Sequence, residues 1–178
     1  MITPTETDRC RLRIVEKDDK NEIYRLLSDS EIVENLNLEI HKTIADTENM
    51  IDNYLEEYNV GTKYPFVILE KDTDKFIGIF LIKLDLYDED CFEYTVYLDK
   101  KYWGKGICTE IMPYMEKVAF EKINTGNFRG FIMEKNIASE KVLQKCGFKL
   151  EKIFEVPGIV GKIKSYWKTK EEYMKSCR

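Results

Sequence analysis

The chain has 178 residues, 43% hydrophobic and 34% charged, which fits a single domain over 1–178 around one core and lies away from compositions that stay unfolded. Its net charge of −5 argues against a nucleic-acid binder, which needs a basic face against phosphate. No apolar run approaches the roughly 20 residues of a membrane helix, and the polar start lacks the layout of a secretion signal, so a cytoplasmic protein with no membrane partner is expected.

The cysteines Cys10, Cys91, Cys108, Cys146 and Cys177 are odd in number and form no C-x-x-C pair, so reduced, mostly buried thiols are expected rather than a disulfide framework or a metal site. The sole histidine, His41, lies in a polar stretch and reads as a surface or loop residue.

In chain order, Cys10 to Val15 reads as a strand with Leu12 and Ile14 on one face, and Asp18 or Asp19 as the cap of a helix carrying Ile23, Leu26 and Leu27 that ends near Asp29. Thr43 and Asp46 have the spacing of a capping box, followed at helical intervals by Met50, Ile51, Tyr54, Leu55 and Tyr58 before Gly61. The segments 66–70, 75–84 and 92–98 are rich in β-branched and aromatic residues and predict an antiparallel meander. From Gly106 the period becomes helical, with Cys108, Ile111, Met112, Met115, Ala119, Phe120 and Ile123 on one stripe. Pro113 interrupts it and should sit near the first turns or mark a bend, since a proline inside a regular helix costs about 3 kcal/mol. A strand over 128–133, a helix over 138–146 stopped by Gly147, and strands over 148–156 and 162–168 complete the chain. The result is an α/β (α+β) fold: a mixed sheet of about seven strands with helices on both faces.

The segment from Glu93 to Glu110 carries the most chemistry, as a strand, a short basic loop with Gly104 and Gly106, and the start of a helix. Glycines let the backbone approach a ligand closely, and a helix start offers unpaired N–H groups and a positive dipole end, so such a turn suits a phosphate or pyrophosphate. A plain glycine turn is the competing reading. Neither G-x-x-x-x-G-K-[ST] nor G-x-G-x-x-G is completed here, which argues against a kinase-like or dinucleotide site.

Three blocks resemble the GNAT superfamily of N-acetyltransferases, and most closely its RimJ/RimL-like branch. Thr7-Asp-Arg-Cys-Arg-Leu-Arg-Ile14 resembles the branch's opening "TeRLxLR" strand, Tyr102-Trp-Gly-Lys-Gly-Ile-Cys-Thr-Glu110 its "YWGkGyatE" loop, and Asn136-Ile-Ala-Ser-Glu-Lys-Val-Leu-Gln-Lys-Cys-Gly-Phe148 its "NxxSxxvlekxGF" helix. The resemblance implies a GNAT fold with a mostly antiparallel sheet splayed between its fourth and fifth strands, those ending at Leu98 and beginning near Phe128. It implies acetyl-CoA as co-substrate and no metal. Backbone groups of Val96 and Leu98 would meet the pantetheine arm, and the N–H groups of Gly104, Lys105, Gly106, Ile107 and Cys108 the pyrophosphate. In the motif (Q/R)-x-x-G-x-(G/A), this chain has Trp103 first and Cys108 last, the latter larger than the usual residue.

By the same resemblance Asn136 bonds the pantetheine arm while Ser139 approaches the thioester sulfur, although Asn136 also reads as a plain N-cap. Many members carry a tyrosine four residues after this serine as the acid; here it is Leu143, which leaves the proton to Ser139, to water, or to unaided departure of the thiolate. Glu93 is the candidate base for the ammonium substrate, with a solvated edge carboxylate as the alternative. The acidic stretches Glu31 to Glu39 and Asp85 to Asp90 read either as a cation entrance or as solvated loops.

The expected activity is direct transfer of an acetyl group to a primary amine, a protein N-terminus first and a small polyamine or aminoglycoside-like amine second, by a monomer or homodimer. A CoA-binding or sensing module that lost catalysis is the alternative.

Overall fold

Strand β1 (Thr5–Glu6) pairs antiparallel with β2 (Cys10–Ile14), and β2 with β3 (Lys63–Glu70), in the computed structural model, which describes residues 2–34 and 39–177. β4 (Phe76–Leu84) pairs antiparallel with β3 and neighbours β5 (Cys91–Leu98). β1 to β3, nearly all of β4 and the end of β5 belong to the first of two units, residues Met1–Lys83 with Val96–Ile107. Helices α1 (Lys20–Leu27), α2 (Ser30–Glu34) and α3 (Ile44–Asn59) complete it. Its core joins Ile23, Leu26 and Leu27 of α1, Ile32 of α2 and Ile51 of α3 to Val67, Leu69, Ile79, Leu81 and Tyr97 of the strands. Each fully buried aliphatic side chain contributes about 1.5–3 kcal/mol, which is what commits this stripe to the sheet.

The second unit, Leu84–Thr95 with Cys108–Arg178, takes the N-terminal half of β5. There β5 pairs parallel with β6 (Asn127–Met133), and β6 pairs antiparallel with β8 (Ile163–Thr169), which pairs antiparallel with β7 (Lys149–Phe154). α4 (Ile107–Lys117), a π-helix (Val118–Ile123), α5 (Ile137–Lys145) and α6 (Lys170–Ser176) are its helices. Phe120 and Phe128 are fully buried and meet edge to face, and Tyr173 of α6 stacks on Phe120 at 4.9 Å.

The mixed α/β fold and mostly antiparallel sheet stand as the sequence predicts, with corrections. Among the described residues the sheet has eight strands, against the expected seven or so, because the two-residue β1 is too short to leave a periodic signal. Asp19 does not cap α1: its carboxylate accepts from Arg13 at 2.7 Å and 2.8 Å and from the Glu16 N–H at 2.7 Å, and a 3-10 turn over Lys17–Asp19 leads into the helix. α2 and α6 were not anticipated, although Thr169 and Glu172 form a capping box that the sequence spells out. Pro113 is the seventh residue of α4, exposed and in its second turn, and the helix leaves the α pattern at Val118. The Thr43–Asp46 capping box and the left-handed Gly147 after α5 are as expected.

Among the described residues no helix is long and apolar enough to cross a membrane, and no group of three or more His, Cys, Asp or Glu is placed to hold a metal.

Candidate functional site

The basic glycine loop lies in the first unit, and polar contacts build it step by step. As β5 ends, the Asp99 N–H donates to the Ile77 carbonyl at 2.9 Å. The Asp99 carboxylate, only 8% exposed as a residue, accepts from the Lys101 N–H at 3.1 Å and from Arg25 Nη1 of α1 at 2.7 Å. Burial pushes this carboxyl up, but the Lys101 N–H and the Arg25 guanidinium outweigh it and hold the group below its usual range. A 3-10 turn over Lys100–Tyr102 follows, and Lys100 reaches Asp29 at 2.9 Å and Glu31 at 2.7 Å. Trp103, half open to solvent, folds back so that its Nε1 donates to the Leu98 carbonyl at 2.9 Å. Trp103 thus closes the turn on β5, and the Leu98 carbonyl already has a partner.

Gly104 and Gly106 have φ of 70° and 78°. A Cβ on Gly104 would meet nothing within 4 Å, and one on Gly106 would meet only Arg9 Nη2 at 3.7 Å. Glycine is therefore required by the left-handed backbone and not by crowding from the protein. The turn is open on its outer side and leads directly into α4 at Ile107, where first-turn N–H groups have no helical partner. Such a cradle fits an anionic group that a Cβ would push away.

Glu93, Cys108, Asn136 and Ser139 lie in the second unit. Glu93 is half-buried on β5 in register with Arg129 of β6. The β5–β6 ladder ends at Tyr94↔Gly130, one residue beyond Glu93, while both strands continue; this is where the sequence resemblance puts the splay. Asn136 is the N-cap of α5, its Oδ1 accepting from the Ser139 N–H at 3.1 Å. The structural reading of Asn136 therefore holds, and its Nδ2 hydrogens are what it can offer a ligand. Ser139 is half-buried and Leu143 is 1% exposed in the core.

The acidic hairpin is turned inward in part. Asp85 is buried and accepts from Arg129 Nη1 at 2.7 Å, and Asp90 accepts from the Gly126 N–H at 2.8 Å. Arg129 Nε lies 3.3 Å from Glu151 Oε2 without hydrogen-bond alignment. In the other acidic stretch Glu31 holds Lys100 together with Asp29 just ahead of it, and residues 35–38 lie outside the described part. Burial pushes the Cys91 thiol up to about 12 and the Cys146 thiol up to about 11, which suits core cysteines and not nucleophiles. His41 sits half-buried in the connection to α3, 2.8 Å from the hydroxyl of buried Thr47, and burial lowers its pKa.

Two contributors went unread in the sequence. Asp99 directly ahead of Lys-Lys-Tyr is a local turn-capping signal that could have been found. Arg9, whose Nη1 donates to the Lys105 carbonyl at 3.0 Å, stands 96 positions upstream, and no local pattern points to that contact.

A family model described as an acetyltransferase (GNAT) domain matches residues 9–149. A probable N-acetyltransferase YjcK of Bacillus subtilis (strain 168) is 30% identical over 114 residues, 62% of each chain. An uncharacterized N-acetyltransferase p20 of Bacillus licheniformis is 24% identical over 145 residues, 82% of each chain. Among solved structures, a ribosomal-protein-S5-alanine acetyltransferase from Vibrio fischeri superposes with a TM-score of 0.84 at 17% identity, covering 97% of this chain and 99% of that one. A spermidine N-acetyltransferase from Vibrio cholerae in complex with CoA and spermine does so at 0.81 and 18%, covering 93% and 98%. At these identities the structural likeness carries the fold alone.

Proposed function

The chain belongs to the GNAT acetyltransferase family, and from that premise we propose that it moves an acetyl group from acetyl-CoA to a primary amine by direct attack. The observation that carries the reading is the open left-handed turn at Gly104 and Gly106 leading into α4. Its N–H groups from Gly104 to Cys108 hold the coenzyme's pyrophosphate, with Lys105 adding charge. Backbone groups of Val96 and Leu98 meet the pantetheine amides, and the Trp103 bond to Leu98 fixes the strand end that presents them. Bound acetyl-CoA supplies an acetyl thioester whose departing thiol has an ordinary pKa of about 8.5.

The amine arrives mostly protonated, with a pKa of about 7.7–8.0 for a chain terminus and about 10.4 for a lysine-like amine, so it needs a base. Glu93 takes that proton, directly or through water. A strand N–H between Val96 and Leu98 meets the developing oxyanion. Ser139 hands a proton to the departing sulfur, and Asn136 orients the start of α5 while donating to the coenzyme arm. Leu143 offers no phenol for that task, which leaves the serine or a water.

For the acceptor, a protein N-terminus ranks ahead of a small polyamine. Both classes occur among the similar structures, in the Vibrio fischeri ribosomal-protein and Vibrio cholerae spermidine enzymes. The second reading, a module that binds CoA without turnover, draws on Leu143 and Cys108.

Release of free thiol from acetyl-CoA against peptides with free N-termini, polyamines and aminoglycosides tests the assignment. Amine-dependent release is expected; CoA binding with no release from any acceptor would favour the sensing module. Glu93→Gln should lower turnover about 100-fold toward pH 6, where the amine is protonated, with less loss toward pH 9; an unchanged profile removes Glu93 as the base.

A further inference from the structure

Successive side chains of a strand point to opposite sides of its sheet, and this sorts β6 onto two faces. Phe128 packs into the aromatic cluster with Tyr94 and Phe148, and Gly130 lies on the same side, where a Cβ would strike the Tyr94 ring at 2.8 Å. Arg129, Phe131 and Met133 therefore point the other way. Register adds Glu93 of β5 opposite Arg129, and Trp167, Ser165 and Ile163 of β8 opposite the three β6 residues. Phe154 of β7 pairs with Ile163, and its ring meets that of Phe131 edge to face at 6.0 Å. All of these residues belong to the second unit. Phe131 is 37% exposed, and Phe154, Met133 and Trp167 are half-buried, so the face is open to solvent.

Charge is graded across this face. At the β5 end Arg129 meets Asp85 at 2.7 Å and Glu151 at 3.3 Å, with Glu93 across the ladder. One guanidinium cannot neutralise three carboxylates, so this end keeps a negative balance. Phe131 follows two positions after Arg129, about 7 Å along the same face, and with Phe154 forms an apolar middle. On the β7 side Lys152 lies 5.5 Å over the Phe154 ring, and Arg129 lies 5.9 Å over that of Phe131. Each of the two rings thus already carries a cation.

Resting on the acetyl-transfer reading above, with Glu93 as its base, we propose that the acceptor is a protein N-terminus whose first residue has a large apolar side chain, which packs on Phe131 and Phe154 while the amine meets Glu93. The order of chemistry on the face matches the order on such a chain end: one ammonium, then an apolar group, then peptide units without charge. A polyamine matches it poorly. Its second ammonium would leave the carboxylates, cross rings that already hold Arg129 and Lys152, and meet their like charge. A glycine or aspartate in first place would leave both rings against water.

Initial rates of thiol release from acetyl-CoA test this, with wild type, Phe131→Ala and Phe131→Leu acting on peptides that differ only in a first residue of leucine, phenylalanine, glycine or aspartate, and on spermidine. Wild type should show a kcat/KM for the leucine and phenylalanine peptides about tenfold or more above those for the glycine peptide and spermidine. Phe131→Ala should cut the ratio of leucine to glycine peptide about fivefold or more, and Phe131→Leu, which keeps an apolar body, should recover most of it. A ratio is read within one protein, so a general loss of activity does not imitate this result. The proposal is overturned if the glycine or aspartate peptide reacts as fast as the apolar ones, if spermidine outruns every peptide, or if Phe131→Ala keeps the wild-type ratio. Release of thiol with no acceptor at all in the panel would instead sink the acetyltransferase reading on which the preference rests.

Discussion

Ion pairs serve the two units in different ways. In the first unit a group of them lies at the surface around the glycine loop: the Arg25 and Lys100 side chains that hold Asp99, Asp29 and Glu31 are 50% and 38% exposed. In the second unit one pair is fully internal. Glu116 and Lys168 meet at 2.8 Å with side chains 5% and 6% exposed, and Lys168 also donates to the Cys146 carbonyl and lies 5.9 Å over the Phe148 ring. Exposed pairs are each worth about 0–1 kcal/mol, so around the loop their value is geometric. Buried pairs were stripped of water to form, and losing one partner strands the other. The burial of Glu116 raises its pKa, which Lys168 only partly offsets, and Glu116 Oε1 has no partner among the described residues.

The largest effect expected from breaking this contrast is at the buried pair. Glu116→Ala or Lys168→Ala should each lower unfolding stability by about 3–5 kcal/mol in urea titrations, whereas joint Glu116→Met and Lys168→Met should return to within about 1 kcal/mol of wild type. If the double variant is no better than the singles, the pair contributes more than mutual neutralisation. The sign of the pH effect follows: with its folded pKa raised, Glu116 favours the fold below its unfolded pKa, and that contribution is lost as pH rises through the raised value. Glu116→Gln should remove this component from the stability profile as pH rises above the ordinary glutamate value of about 4.3.

A middle-sized effect is expected at the loop. Asp99→Asn should change stability by less than about 1 kcal/mol yet weaken CoA about three- to tenfold, because it loosens the turn ahead of Gly104 without touching the core. A large fall in melting temperature with unchanged CoA affinity would reverse the roles given to the two regions. Asp99 has a lowered folded pKa, so its contribution is present above its unfolded value of about 3.9 and lost as pH falls through the lower folded one. The smallest effect is at a plain surface pair: Lys175→Ala, which removes the i,i+4 contact to Glu171 on α6, should cost less than about 0.5 kcal/mol.

The same contrast explains what could be read from the sequence. Periodicity exposed the meander, α3 and the helical stripe from Cys108, because burying Ile51, Ile79 or Met115 demands a regular spacing. The glycine turn was legible because a backbone that needs positive φ selects glycine at Gly104 and Gly106. Asn136 was legible as a cap because a cap is local. Arg9 at Lys105, Arg25 at Asp99 and Lys168 at Glu116 were not, since each joins positions brought together only by the finished fold. Asp19 misled for a related reason: its carboxylate was expected to serve the adjacent helix and instead meets Arg13 across the turn.

The claim that the Gly104–Gly106 turn is the phosphate cradle is tested most directly by the CoA affinity of Gly106→Ala beside wild type. A Cβ at φ 78° costs about 1–2 kcal/mol in that conformation, so the account predicts that wild type binds CoA and that Gly106→Ala binds it about tenfold or more weakly, with pantetheine binding unaltered. Equal CoA affinity in the two proteins would contradict it.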